Sequence, residues 1–232
     1  MKIVNPSVEI LTPINREMVL TLIEKAGRVC YKSEEKITEG SASKIIPNWI
    51  KSGHESVIEH FNISVKFVTD RGVTHELVRH RLASFSQEST RYCNYGAEKF
   101  GKEITVIFPT WAKPLQSQEE YIKGPNRCIV NTGAMFSSWK KACMEAEKQY
   151  FEMLSWGATP QEARAVLPNS LKTEIVVTAN MREFRHILNL RCSKAAHPDI
   201  RFIMLILLKE LNSKLPEIFG DIADKYLGEI SG

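Results

Sequence analysis

The chain has 232 residues, 43% of them hydrophobic and 25% charged, with a formal net charge of +4. This is the composition of an ordinary globular protein, and so small a positive excess does not require a nucleic-acid partner, which usually binds a concentrated basic face. Five cysteines without a CxxC pair indicate a reducing compartment. The first residues lack the apolar region of a signal peptide, and the most apolar run, Phe202 to Leu208, is too short to cross a bilayer. We therefore expect a cytoplasmic protein with no membrane partner.

The N-terminal half predicts strands and helices in alternation. Pro13 closes a first strand, Asn15 can cap the first helix, and Gly53 ends the second. In chain order, the predicted elements are a strand in 1–12, a helix from 15 to about 31, a helix over 41–52, a strand over 61–68, a short helix over 72–80 and a strand over 104–108. The apolar stripe predicted on the first helix comprises Met18, Leu22, Ile23 and Ala26.

The C-terminal half is predicted to be mainly helical. Its predicted elements are one or two helices within 117–156, a short helix over 160–167, a strand over 173–178, a helix over 181–192 and a largely buried helix over 199–215. Few strands and many helices predict a mixed α/β or α+β fold. Because no repeat, low-complexity block or Gly/Ser linker marks a boundary, we expect a single domain over 1–232.

The chain contains none of the common metal or phosphate-loop motifs. His75 and His80 are five residues apart, which places them about 140° apart around a helix axis, whereas a zinc-binding HExxH needs a spacing of four. We therefore predict no metal site. The loops GxGxxG and GxxxxGK[ST] are also missing, so a Rossmann or P-loop nucleotide site is disfavoured. Cys93 follows Arg91 closely enough for an activated thiol, although a half-buried packing cysteine is the commoner state.

The stretch from Arg79 to Tyr92 combines arginines, a histidine and several hydroxyl groups. Like charges this close repel, and exposed ion pairs contribute only about 0–1 kcal/mol in return. Because a guanidinium suits bidentate contact with phosphate, the pattern favours an anionic, ring-bearing ligand over a solvated basic loop. The alternative is an RNA- or single-strand-binding module with these stacking platforms: Phe85, Tyr92, Tyr95 and Phe100.

A second polar cluster lies in the C-terminal half, mostly on the helix predicted over 181–192. Arg182, His186 and Asn189 are spaced by four and three residues and so share one face. This helix has no acidic residue after Glu183, which favours a ligand over a merely solvated surface. The whole cluster comprises Arg164, Asn180, Arg182, Arg185, His186, Asn189 and Arg191.

The arginine-rich stretch resembles the RHR-xx-S-xxxx-S-x-RY motif of the flavin-dependent thymidylate synthases. All seven fixed positions are present: Arg79, His80, Arg81, Ser84, Ser89, Arg91 and Tyr92. Other segments are similar to blocks of that family in the same order: Gly53-His54-Glu55-Ser56, Ala163-Arg164-x-Val-Leu-Pro, Asn180-x-Arg182 and Leu188-Asn189-Leu190-Arg191. The chain has no Pro-Cys pair, which the flavin-free thymidylate synthases use.

The resemblance implies an enzyme in which a small central sheet is flanked by helices. It implies reductive methylation of dUMP to dTMP without a protein nucleophile. The carbon donor would be 5,10-methylenetetrahydrofolate, and FAD reduced by NADPH would carry the hydride. The family's usual assembly is a homotetramer with sites shared between subunits, so the expected partners are these small molecules and further copies of the chain, not nucleic acid. A relative that binds nucleotide without turnover is an alternative, against which the intact Ser89, Arg91 and Arg191 argue.

The resemblance also assigns residues to the site. The implied flavin contacts are Ser56, Arg79, His80, Arg81, Gln87, Asn180, Arg182 and His186. The implied dUMP contacts are Glu76, Leu77, Val78, Arg79, Gln87, Glu88, Ser89, Thr90, Arg91, Arg164 and Arg191. Arg191 is the expected catalytic residue, because a cation at the pyrimidine would stabilise the charge that develops as N3 ionises. Glu76, Gln87 and His186 stand where some relatives have Gln, Glu and Asn.

Overall fold

The computed structural model describes residues 1–112 and 132–228 and shows a mixed α/β fold, as the sequence predicts. The strands are β1 (Lys2–Val4), β2 (Ser7–Ile10), β3 (Asn62–Asp70), β4 (Ser84–Gln87), β5 (Thr105–Ile107) and β6 (Lys172–Asn180). The helices are α1 (Arg16–Val29), α2 (Ser41–Lys51), α3 (Arg71–Leu77), α4 (Thr132–Ser155), α5 (Pro160–Ala163), α6 (Met181–Arg191), α7 (Pro198–Lys214) and α8 (Pro216–Tyr226). Short 3-10 turns cover Glu34–Lys36, Glu55–His60, Glu98–Phe100 and Arg164–Val166.

The strands form two small sheets. β1 and β5 pair in parallel, with Lys2 opposite Thr105 and Val4 opposite Ile107. The other sheet has four strands in the order β2-β3-β6-β4. Strand β4 lies where the sequence predicted only a loop, and helix α8 was not predicted. The prediction for 117–131 lies outside the described residues. Within the described part of the chain, no helix is both long and apolar enough to cross a membrane.

The chain divides into two compact units, each made of three segments. The first unit comprises Met1–Pro6, Val68–His75 and Gln87–Glu174; the second comprises Ser7–Phe67, Glu76–Ser86 and Ile175–Gly232. The expectation of a single domain over 1–232 stays a prediction.

The first unit has a core in which aromatic rings pack against strand β5. Tyr150 of α4 is fully buried, and its ring lies 5.9 Å from that of Tyr95. The ring of Tyr95 also meets that of Phe100 edge to face at 5.4 Å, a favourable geometry for aromatic pairs. The buried members of this core are Tyr95, Ile104, Val106, Cys143, Tyr150, Ala163 and Leu171.

Helices form the core of the second unit. α7 and α8 pack against each other, and α1 packs against α2. The Asn15 side chain accepts a hydrogen bond from the Met18 N–H and so caps α1 as predicted. The predicted stripe on α1 is partly wrong, because Met18 is 54% exposed and Leu22 is 41% exposed. The face that the fold buries comprises Val19, Leu20, Ile23, Glu24 and Gly27.

A glycine allows α1 and α2 to approach closely. A Cβ atom at Gly27 would lie 2.5 Å from two ring atoms of the buried Trp49. Alanine gains about 1 kcal/mol over glycine inside a helix, but overpacking a core costs about 1–3 kcal/mol. We expect Gly27→Ala to lower the free energy of unfolding by about 1–2 kcal/mol, the upper half of the net range, because the short contact involves two ring atoms. Urea denaturation followed by circular dichroism measures this change.

Gly220 in α8 provides a matched control. The nearest atom to a Cβ built there is the Asn212 Oδ1 at 3.9 Å, an ordinary contact. Gly220→Ala should therefore raise the free energy of unfolding by about 0.5–1 kcal/mol. Equal destabilisation by both substitutions would contradict the role of the contact with Trp49.

Candidate active site

In the second unit, the Arg191 guanidinium is fixed by three hydrogen bonds at the end of α6. Its Nη1 donates to the Glu76 Oε2 at 2.7 Å, and its Nη2 donates to the Glu76 backbone carbonyl at 3.1 Å. Its Nε donates to the His80 Nε2 at 3.0 Å. A guanidinium has five N–H donors, so two donors, one on each Nη, have no acceptor among the described residues and can serve a ligand.

The partners of Arg191 come from the turn that follows α3. The Arg79 N–H donates to the Glu76 carbonyl, and the His80 N–H donates to the Leu77 carbonyl, which turns the chain after the helix. The His80 side chain is only 5% exposed. Burial, the charge of Arg191 and the proximity of His186 lower the pKa of His80 to about 4. His80 is therefore neutral at ordinary pH, with Nε2 as acceptor and its hydrogen on Nδ1.

The flavin residues implied by the resemblance lie in the second unit, except Gln87. Arg79, Arg81 and Ser56 are exposed, and the described residues place no carboxylate against either arginine. The Asn180 side chain caps α6 by accepting from the Glu183 N–H at 2.9 Å. Two exposed guanidiniums without carboxylate partners suit the diphosphate of a dinucleotide cofactor such as FAD.

The side chains of Arg182 and His186 differ in the contacts that they make. The Arg182 Nη1 lies 2.5 Å from the Glu59 Oε1, so its guanidinium is ion-paired in this structure. His186 is exposed, and its ring meets that of His80 edge to face with centroids 6.0 Å apart. Of the implied substrate contacts beside the turn, Leu77 is 1% exposed and Val78 is 42% exposed.

In the first unit, the 87–91 segment is fixed by polar contacts. The Gln87 Nε2 donates to the Thr74 Oγ1 at 2.9 Å and more weakly to the Thr173 Oγ1 at 3.3 Å. The Ser89 carbonyl accepts from the Tyr92 N–H and from the Cys93 N–H, which closes a turn. The Arg91 side chain is exposed and lies over the Tyr92 ring.

Glu88 is held by other side chains of the first unit. Its Oε1 accepts from the Tyr95 hydroxyl at 3.0 Å, and its Oε2 faces the Lys172 Nζ at 3.2 Å. Burial and the neighbouring Glu88 raise the pKa of Tyr95, so the phenol stays a donor. Both Glu88 oxygens thus anchor the start of the turn, and the predicted contact of Glu88 with dUMP stays a prediction.

The first unit also contains a cavity of about 250 Å³ in which basic groups converge. The Arg164 Nη1 donates to the buried Thr90 hydroxyl at 3.2 Å. The Asn169 carbonyl accepts from the Arg71 N–H at 3.0 Å, at the start of α3. No described carboxylate pairs with the guanidinium of Arg71 or Arg164. The residues that line the cavity are Arg71, His75, Thr90, Arg164, Ala165, Leu167, Pro168, Asn169 and Leu171.

The structure therefore places some of the predicted site residues in contact and shows further residues beside them. It brings Glu76, His80 and Arg191 together in the second unit and Thr90 and Arg164 together in the first. The sequence analysis did not assign Arg71, His75 or Glu183 to a site. The available signals were spacings: Arg71 and His75 are four apart on α3, and Glu183 and His186 are three apart on α6, so each pair shares a helical face.

Comparisons with known proteins identify the class. A family profile described as "Thymidylate synthase complementing protein" matches residues 16–217. The chain is 34% identical over 192 residues to the flavin-dependent thymidylate synthase of Pyrococcus furiosus, covering 82% of this chain and 70% of that protein. It is 31% identical over 204 residues to that of Geobacter sulfurreducens, covering 84% and 78%.

A solved structure agrees with the fold. The UMP/dUMP methylase PolB from Streptomyces cacaoi, bound with 5-Br dUMP, superposes with a TM-score of 0.76 at 23% identity, covering 97% of this chain and 98% of that one. The profile match over most of the chain thus shows a protein of the thymidylate synthase complementing class. Within that class, the chain belongs to the flavin-dependent thymidylate synthase family. The predicted family and fold class are confirmed.

Proposed function

We propose that this chain catalyses the reductive methylation of dUMP to dTMP, with 5,10-methylenetetrahydrofolate as carbon donor and FAD reduced by NADPH. The family, the flavin-dependent thymidylate synthases, supplies the reaction class. The observation that carries the assignment to this chain is the basic cavity in the first unit. Arg71 and Arg164 line it without a carboxylate partner among the described residues, so their guanidiniums are available to an anionic ligand.

A phosphate monoester suits this cavity in charge and in donors. Guanidiniums contact phosphate through charge-assisted hydrogen bonds, and the Thr90 hydroxyl, held by Arg164, can join them. Leu167 and Pro168 supply apolar walls next to these groups. We therefore assign the cavity to the phosphate of dUMP, with Arg71 and His75 as contacts beyond those that the resemblance implies.

We assign Arg191 as the residue that contacts the pyrimidine ring of dUMP. Three of its five N–H donors are held by Glu76 and His80, which fixes the guanidinium plane before a ligand arrives. The two remaining donors can face a carbonyl oxygen of the uracil ring. A fixed cation aimed at a developing negative charge lowers the barrier without rearrangement, so this chemistry needs no protein nucleophile.

FAD fits the exposed arginines of the second unit. Arg79 and Arg81 would hold its diphosphate, and Ser56, His80, Asn180 and His186 would contact the rest of the cofactor. Arg182 can join them by exchanging its partner Glu59, because an exposed ion pair contributes only about 0–1 kcal/mol. The flavin supplies hydride chemistry that no side chain of this protein offers.

The proposed assembly is a cytoplasmic homotetramer with sites shared between subunits. Two exposed apolar side chains support contact with further copies: Leu82 is 78% exposed and Tyr92 is 79% exposed, and both belong to the arginine-rich stretch. The alternative of a single-strand-binding module is weakened by Tyr95, which is only 6% exposed and cannot serve as a stacking platform.

Absorption spectroscopy of the purified protein tests the proposed function. We expect the protein to take up FAD, to perturb the flavin spectrum when dUMP is added, and to oxidise NADPH faster with dUMP than without it. A control with deoxyuridine, which lacks the phosphate, should give a much smaller effect, because the phosphate contacts are missing. A protein that neither binds flavin nor converts dUMP in the presence of methylenetetrahydrofolate would overturn the proposal.

A further inference from the structure

Three potential metal ligands meet beside Arg191 in the second unit. They are the imidazoles of His80 and His186 and the carboxylate of Glu183, and their ligand atoms all lie within 4.8 Å of one another. Among residues 1–112 and 132–228, this is the one group of three or more such side chains at that spacing. Two imidazoles and a carboxylate are the protein ligands of several zinc and non-haem iron sites that keep further positions open.

Among the described residues, no donor lies within hydrogen-bond distance of the Glu183 carboxylate. Its side chain is only 7% exposed, and its nearest partner, the His80 Nδ1, is 3.8 Å away, too far for a hydrogen bond. The described residues offer it no other donor. Burying a carboxylate without a partner is costly. A bound cation would remove this cost.

Contrary to the absence of a metal site predicted from the sequence, we propose that His80, Glu183 and His186 bind a divalent transition-metal ion such as Zn²⁺, and that this ion excludes the flavin and loosens the hold on Arg191. Zinc–nitrogen bonds of about 2.0–2.1 Å place tetrahedral ligand atoms roughly 3.3–3.5 Å apart. Ligand atoms that now lie up to 4.8 Å apart must therefore draw together by up to about 1.4 Å. The exposed His186 side chain can make that movement, and the neutral His80 has a lone pair to offer.

Metal binding is coupled to Arg191 through the two ring nitrogens of His80. Arg191 donates to Nε2, and Nδ1, which carries the hydrogen, faces Glu183. A metal on Nδ1 moves that hydrogen to Nε2, where it meets the Arg191 Nε–H and the hydrogen bond breaks. A metal on Nε2 displaces Arg191 directly. Either mode removes one of the three bonds that fix the guanidinium. The metal site itself does not depend on the proposed function. The competition with flavin does, because it assumes that His80 and His186 contact the cofactor.

Calorimetric titration of the full-length, flavin-free protein with Zn²⁺ tests the site, and the visible absorption of bound Co²⁺ reports its geometry. We expect one ion per chain. Glu183→Gln and His186→Asn should each weaken binding at least about tenfold, because each removes a ligand. His197→Gln is the matched control, since His197 also lies near a carboxylate, that of Asp199 at 3.7 Å, but belongs to no such group of three. Added FAD should weaken the apparent Zn²⁺ affinity.

The outcomes separate this inference from the proposed function. Absence of Zn²⁺ binding, or equal binding by the wild type and Glu183→Gln, overturns the metal site even if flavin and dUMP behave as proposed. If Glu183→Gln changes only the affinity for FAD, the carboxylate serves a flavin N–H and the metal site is again overturned. Zn²⁺ binding that requires the three ligands supports the site, and it does so even in a protein that fails to bind flavin.

Discussion

Arg191→Ala should lower kcat for dUMP methylation by roughly 10²–10³-fold, the usual cost of removing a fixed donor that faces developing charge. The loss should fall on kcat more than on KM, because the stabilised charge is greatest in the transition state. FAD binding should persist, since Arg79 and Arg81, the proposed diphosphate contacts, are unchanged. Steady-state assays of dTMP formation, together with a flavin titration of the same variant, measure both effects.

Arg28→Ala is the matched control for Arg191→Ala. Arg28 pairs with Glu24 at 2.9 Å, and its side chain is 12% exposed, close to the 19% of Arg191. It lies on α1, outside the proposed site, so its loss should leave kcat near that of the wild type. Arg191→Lys keeps a charge but loses the planar fork that contacts Glu76 and His80 at once, and should recover little activity. Unchanged turnover in Arg191→Ala would remove this residue from its proposed role.

The sequence predicted elements well where local chemistry determines them. The side chains of Asn15 and Asn180 cap α1 and α6, each by accepting a hydrogen bond from the backbone N–H three residues later. Gly53, at a φ of 78°, lies just beyond the end of α2. Alternation predicted the core of β3, in which Ile63, Val65 and Phe67 are buried. These features depend on neighbours within a few residues, which the sequence displays directly.

Elements that depend on distant partners were not predicted. β4 consists of four residues, Ser-Phe-Ser-Gln, whose composition resembles a loop, and its strand conformation comes from pairing with β6. On α1, Met18 and Leu22 extend the apolar pattern but remain exposed, whereas Glu24 is buried because it accepts hydrogen bonds from Arg28 and Ser41. Tertiary contacts therefore decided which residues face the core.

The same limit applies to the site. The arginine motif identified the family and some of the residues around Arg191, because its seven positions lie within one short stretch, from Arg79 to Tyr92. It did not reveal that Arg185, counted with the polar cluster, is a buried structural residue paired with Asp221 at 2.7 Å. Nor did it reveal that Glu88 is held by Tyr95 and Lys172. Charged residues of similar pattern thus divide into anchoring and ligand-facing roles only when their partners are known.

Arg164→Gln and Arg71→Gln should each raise KM for dUMP by roughly 10–100-fold, because each removes a charge-assisted hydrogen bond worth about 1.5–3 kcal/mol. kcat should change less, since the phosphate does not react. The affinity for deoxyuridine, which lacks the phosphate, should be nearly unchanged, so the preference for dUMP should fall. Equilibrium titration of both ligands, followed by the flavin spectrum, measures this difference.

The control for these variants is Lys148→Gln, which removes one positive charge from an exposed position on α4 in the same unit. If net charge alone attracts dUMP, all three variants should weaken dUMP binding equally, and high salt should remove the difference between each variant and the wild type. If the cavity holds the phosphate, only Arg71→Gln and Arg164→Gln should reduce the difference in affinity between dUMP and deoxyuridine. The double variant should lose less than the two effects combined, because both guanidiniums would share one phosphate. If neither single variant changes the difference in affinity between dUMP and deoxyuridine, the cavity does not bind the phosphate of dUMP.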